Sequence, residues 1–223
     1  MPGEWESDYL IRPSGRSDRP AVRAICAATA WLGLPASDRI ADDWIWAEYW
    51  TRFFTDRQGD CCWVAESRGD GLVVGYLTGT PDVRRFERYV PLLLPGIAWR
   101  VVRKRLMRRR PSRRAVLAML MALVRGELAL PPRVRKDFPA TFHFNLLPAA
   151  RRLGLGTQLL QTFLARMRSL GVPGAHAQAL SMNQPAARAL RRGGFRLLAS
   201  RRVRAFAHLD RQPIAVNTWV LPL

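Results

Sequence analysis

The chain has 223 residues and a formal net charge of +19, carried by arginine, since Lys104 and Lys136 are the lysines present. It is 48% apolar, which excludes a disordered chain, and no apolar run reaches the ~18 to 20 residues of a membrane-spanning helix. The acidic start MPGEWESDYL lacks the apolar stretch of a secretory leader, and three cysteines without metal-ligand spacing point to a reduced, cytoplasmic protein with no metal.

Taken in order, Tyr9 to Arg12 reads as a short strand, and Ser17-Asp-Arg-Pro20 opens a helix that Gly33 ends. Val22, Ile25 and Cys26 fall on its apolar face, which makes Cys26 a core thiol. Asp42 to Phe54 is an aromatic helix with Trp44, Ile45, Glu48, Tyr49, Arg52 and Phe53 along one stripe, read as core or as a wall of an acceptor pocket. Cys61 to Glu66 and Leu72 to Thr80 form an antiparallel hairpin across a Gly-Asp-Gly turn.

Residues 83–138 are basic and punctuated by proline. Phe86 to Leu94 reads as one apolar piece, with helices over Ile97 to Met107 and Arg113 to Val124 and a charge run from Arg103 to Arg114. Three readings apply, in this order: a lid or homodimer surface, an interfacial membrane helix, and a nucleic-acid arm. Basic residues alone specify no nucleic-acid fold, so a solvated basic face is the plainer reading of the charge.

Thr141 to Leu147 (TFHFNLL) is a strand that Pro148 ends, and Leu155, Leu159, Leu160, Phe163, Leu164 and Met167 recur at helical spacing beyond it. Between them lies Ala149-Ala-Arg-Arg-Leu-Gly-Leu-Gly156. Strand, basic glycine loop and helix make an anion cradle, with the free N–H groups of the first helical turn aimed at the ligand. Neither the dinucleotide-binding Gly-x-Gly-x-x-Gly nor the P-loop pattern is present. Ala175 to Leu180 is the next strand, followed by a helix from Asn183 that Gly193-Gly194 caps. Arg196 to Leu198 follows, and Val203 to His208 with Ile214 to Leu221 makes a closing hairpin.

Arg151-Arg-Leu-Gly-Leu-Gly156 resembles the Gln/Arg-x-x-Gly-x-Gly/Ala signature of the GNAT superfamily of acyl-CoA-dependent N-acyltransferases. Asn183-Gln-Pro-Ala186-Ala-Arg-Ala-Leu190-Arg-Arg-Gly-Gly194-Phe195 is similar to that superfamily's Asn-x-x-Ala-x3-Tyr-x3-Gly-Phe helix. A finer resemblance, of Gly75 to Asp82, is to acetyltransferase-like domains related to those of O-GlcNAc hydrolases.

The resemblance implies an α/β (α+β) GNAT fold over residues 1–223 as one domain. Its mixed sheet has splayed fourth and fifth strands, and 83–138 is a helical insertion between the third and fourth. It implies acetyl transfer from coenzyme A to an amine by direct attack in a ternary complex. The Leu153, Gly154, Leu155, Gly156 and Thr157 amides would hold the pyrophosphate, aided by Arg151 and Arg152. Leu146, Leu147 and Asn183 would border the rest of the acetyl-CoA.

Two departures stand against the family pattern: the usual acidic Tyr is Leu190, and the Glu of some members is Gln178. They open a second reading, a catalytically silent acetyl-CoA-binding module. His143 is the residue of choice for a base, with an ordinary pKa of ~6.5. It is expected to point into the splayed cleft on the face of Asn145, opposite Phe142 and Phe144. His176, His208, Ser181 and Asp82 are weaker polar candidates.

Overall fold

The computed structural model describes residues 8–35, 42–204 and 213–223. Strands β1 (Tyr9–Pro13), β2 (Cys62–Ser67), β3 (Val73–Thr80), β4 (Ala140–Leu146), β5 (Gly174–Leu180), β6 (Arg196–Arg202) and β7 (Ala215–Pro222) form one sheet in the order β1-β2-β3-β4-β5-β7-β6. Every neighbouring pair is antiparallel except β4 and β5, which are parallel. Helices α1 (Arg19–Thr29) and α2 (Asp43–Arg57) precede β2, and α6 (Leu155–Ser169) and α7 (Gln184–Arg192) flank β5 in sequence. The mixed sheet with flanking helices is the fold the paired motifs imply.

The sheet is covered on both faces because its strands alternate two apolar sets. One core gathers the α6 side chains Leu155, Leu159, Leu160, Phe163, Leu164 and Met167 against Trp63, Leu77, Phe142 and Phe195. Burying each such side chain contributes roughly 1.5–3 kcal/mol. A second core joins Val22, Ile25 and Cys26 of α1 and Ala47 of α2 to Val64 and Tyr76. Burial raises the Cys26 thiol to about 11, the behaviour of a core residue.

Between β3 and β4 lie α3 (Val83–Arg103), α4 (Arg110–Val124) and α5 (Pro132–Asp137). Here the sequence expectation needs correction. Phe86 to Leu94 and the piece from Ile97 to Arg103 are one helix, Val83–Arg103, with Pro91 and Pro95 inside it, and Met107 lies beyond it in a short 3-10 turn over Leu106–Arg108. Both prolines are exposed, so water can serve the carbonyls they leave without donors. The Asp82 carboxylate starts the helix by accepting from the Arg84 amide at 3.0 Å. The closing hairpin also differs: its first arm is Arg196–Arg202, and Val203 already follows the strand. His208 lies outside the described residues.

Candidate active site

β4 and β5 pair over two positions, Ala140 with Ala175 and Thr141 with His176, and then separate. The split expected from the motifs is therefore present. Residues 142–146 of β4 and 177–180 of β5 have edges that do not bond each other. At its far end β4 runs through a short turn over Pro148–Ala150 into the glycine loop and α6. The split and the loop are thus consecutive on one strand.

Gly154 is the N-cap of α6 at φ +77°, a left-handed conformation that favours glycine. The Thr157 amide is committed to the Gly154 carbonyl at 2.9 Å, which narrows the cradle to the amides ahead of it, Leu153 to Gly156. A Cβ added at Gly156 would meet only the Leu146 and Phe144 side chains, at 3.4 and 3.6 Å. That is ordinary contact, so protein packing does not demand glycine there. A methyl there would be accommodated in contact with these two side chains.

The two arginines do different things. Arg151 turns back, donating from Nε to the Leu146 carbonyl at 3.1 Å and from Nη2 to the Gly33 carbonyl at 2.7 Å. Gly33, at φ +86°, would drive a Cβ to 3.0 Å from that guanidinium. Arg151 therefore clamps the α1–α2 connection to the end of β4, while Arg152 is exposed beside the loop. Leu147 donates its amide to the Val74 carbonyl at 2.9 Å and accepts from Ala150 at 3.0 Å, so its backbone is satisfied within the chain. Asn183 caps α7, its side-chain oxygen accepting from the Ala186 amide at 3.1 Å.

His143 leaves β4 on the face carrying Asn145, whereas Phe142 packs on the other face against Phe163 and Phe195. Its partners belong to β3 and α2, so the ring sits on the β3 flank of the split. Nδ1 lies 3.1 Å from the Tyr76 hydroxyl, and the ring stacks on Trp50 at 5.1 Å with 13° between planes. Asn145 donates its amide to the same hydroxyl at 3.2 Å, and Cys26 bonds it as well. The residue is half-buried, and desolvation lowers its pKa from 6.5 to about 4. His143 is thus neutral at working pH, not half-titrated near 6.5.

The Tyr76–Asn145–Trp50 setting escaped the motif reading. The antiparallel register puts Tyr76 opposite Asn145 and Thr78 opposite His143, which the alternation of the two strands would reveal only once their pairing is known. The aromatic stripe read on α2 serves structure. Glu48, buried, pairs with Arg23 and Arg52, and Trp44 lies under Arg100. Trp50, outside that stripe, is the residue at the site.

The other candidates are not brought together. His176 is buried, its Nδ1 donating to the Phe138 carbonyl at 2.6 Å, and burial lowers it to about 4. Leu190 is 2% exposed in the α6 core, so an acid is absent from that position. Gln178 is exposed on β5, Ser181 accepts from the Ala215 amide, and Asp82 caps α3. Among the described residues, no three His, Cys, Asp or Glu side chains are grouped to hold a metal ion.

The mixed sheet thus splits between its parallel strands, and the first of them leads into the glycine loop and α6. Residues 113–195 match the model of the acetyltransferase (GNAT) family. The chain is similar in structure to SsHAT, with 27% identity, 96% of this chain and 98% of that one covered, and a TM-score of 0.71. It is similar also to the polyamine N-acetyltransferase of Drosophila melanogaster, at 20% identity over 97% of this chain and 100% of that one, TM-score 0.60. A third likeness is to yncA of Salmonella typhimurium, solved with its cofactor acetyl-CoA, at 16% identity over 97% and 94%, TM-score 0.56. The family match over residues 113–195 and the shared fold make this chain similar to GNAT acetyltransferases. None of these matches bears on the finer resemblance of Gly75 to Asp82.

Proposed function

We propose that residues 1–223 act as one N-acyltransferase domain, moving an acetyl or short acyl group from coenzyme A to an amine by direct attack. The observation that carries this reading is the split of β4 from β5 leading straight into the start of α6, where left-handed Gly154 is the N-cap. In this reading the Leu153 to Gly156 amides hold the pyrophosphate, and exposed Arg152 adds charge. The unpaired β4 edge, Leu146 included, lies along the pantetheine. Leu147, Arg151 and Asn183 support the walls, since their polar groups are engaged within the chain.

The amine lone pair attacks the thioester carbonyl carbon, and the carbon–sulfur bond breaks as the amide forms. Coenzyme A leaves as thiolate, and the nitrogen must lose a proton. Holding both reactants together supplies much of the barrier reduction. His143 receives the proton in our reading. Tyr76 has one hydroxyl proton and two lone pairs. With Asn145 donating to it and its proton on Cys26, His143 donates from Nδ1 and keeps Nε2 free as the base.

Calorimetric titration with acetyl-CoA tests the cradle. Binding that weakens in Gly156→Ala supports it, and no binding sinks the reading. A second reading, a silent acetyl-CoA-binding module, draws on Leu190 and exposed Gln178, and it predicts binding without turnover on any amine. Three thiols buried without disulfides support a reducing, cytoplasmic setting.

A further inference from the structure

The basic insertion carries an apolar surface that the site leaves unused. On α3 one face packs inward through Phe86, Leu93 and Ile97, and Arg100 on that side bonds Asp42. The opposite face repeats at helical spacing through Leu92, Trp99 and Val102, which are 71%, 66% and 69% exposed. On α4 the same spacing sets Leu117, Leu120 and Val124 on one exposed face, with Val124 at 83%. Exposed large apolar residues on this scale mark an interaction surface.

Their neighbours say with what. Arg103 shares the α3 stripe, and Arg113 and Arg114 continue the α4 stripe toward its N-terminus. The connection between the helices adds Lys104, Arg105, Arg108 and Arg109, all exposed. From Arg88 to Arg125 the segment contains no acidic residue. A second copy docking face to face would bring these charges together, which opposes self-association. Nucleic acid would answer the charge but leave leucine, valine and tryptophan against water. An anionic lipid surface satisfies both, taking apolar side chains at the acyl boundary, arginines among headgroups and Trp99 at the interface. Among the described residues, no helix is long and apolar enough to cross a membrane.

We propose that the exposed faces of α3 and α4 dock this protein on anionic membrane surfaces, lying in the interface. Sedimentation with vesicles of phosphatidylcholine alone, or of phosphatidylcholine mixed with phosphatidylglycerol, tests it. The expected result is binding to the anionic vesicles, weak binding to the neutral ones, and loss with added salt. Each arginine near the leaflet contributes ~fivefold, so Arg113→Gln with Arg114→Gln should weaken partitioning ~25-fold. Leu117→Gln with Leu120→Gln and Val124→Gln should weaken it at least ~tenfold. These positions are exposed on a helix, and unchanged circular dichroism checks that the variants fold.

Absence of binding to anionic vesicles at low salt overturns the proposal. So does binding indifferent to the apolar substitutions, which would indicate a polyanion site for nucleic acid. A dimer in sedimentation velocity that those substitutions dissociate would assign the face to a second copy instead. None of these readouts depends on acyl transfer.

Discussion

The imidazole of His143 lies nearly parallel to the indole of Trp50, 5.1 Å between centroids and 13° between planes. The stacking orients the ring, and burial keeps it neutral. If His143 accepts the amine proton, His143→Gln should lower turnover ~10²- to 10⁴-fold while acetyl-CoA affinity stays unchanged. Turnover within about threefold of the parent, well below that range, would make His143 structural.

The pH dependence follows from the same burial. A base with a pKa of about 4 is already neutral at pH 6, so its titration leaves no step near 6.5. The rate above pH 6 should rise with deprotonation of the amine acceptor, and the profile should shift with the acceptor's own pKa. A fixed inflection near 6.5 with every amine would show a histidine that remains solvated.

Tyr76→Phe removes the hydroxyl that both Asn145 and His143 meet. Leaving these partners unsatisfied should cost about 1–3 kcal/mol of stability. If the hydroxyl sets the His143 tautomer, kcat should fall ~tenfold or more, within the span of one acid–base group, with KM for acetyl-CoA unchanged. A stability loss with kcat unaffected would confine Tyr76 to the fold.

At the cradle, stability and binding should move in opposite directions. Gly156 has ordinary helical backbone, so Gly156→Ala should stabilise α6 by up to ~1 kcal/mol. If the pyrophosphate lies against this first helical turn, the added methyl should weaken acetyl-CoA binding in calorimetry. Gly154→Ala, by contrast, forces φ +77° on a side chain and should cost ~1–2 kcal/mol of stability. Unchanged acetyl-CoA affinity in Gly156→Ala would move the anion elsewhere.

Acid should unfold the protein through its histidines. His143 and His176 both sit at about 4 when folded, against ~6.5 unfolded. Between those values the unfolded chain binds protons that the folded one does not, so stability is complete above pH 6.5 and falls toward pH 4. Denaturant melts should show that decline, and it should be shallower in His176→Gln, whose amide can still donate to the Phe138 carbonyl. An equal decline in the variant would point to other groups.

What could be read from the residues was local. Pro148, the Gly154 loop and the Leu155 to Met167 spacing place the strand, cradle and helix, because each acts within a few positions. The α3 helix was misread at Pro91 and Pro95, since tolerance of an internal proline depends on whether its freed carbonyl meets solvent. Arg151 was assigned to the ligand because sequence cannot show that Gly33, 118 positions away, offers it a carbonyl. The His143 setting was likewise hidden in the register of β3 on β4.

Acyl transfer at the split between β4 and β5 would have to depend on an amine. Thiol release from acetyl-CoA, followed with amino acids, polyamines, aminoglycosides and peptide N-termini, tests it most directly. Thiol release should require an amine and match the acetylated product mole for mole. Tight acetyl-CoA binding without amine-dependent release across the whole panel would contradict it and leave a silent binding module.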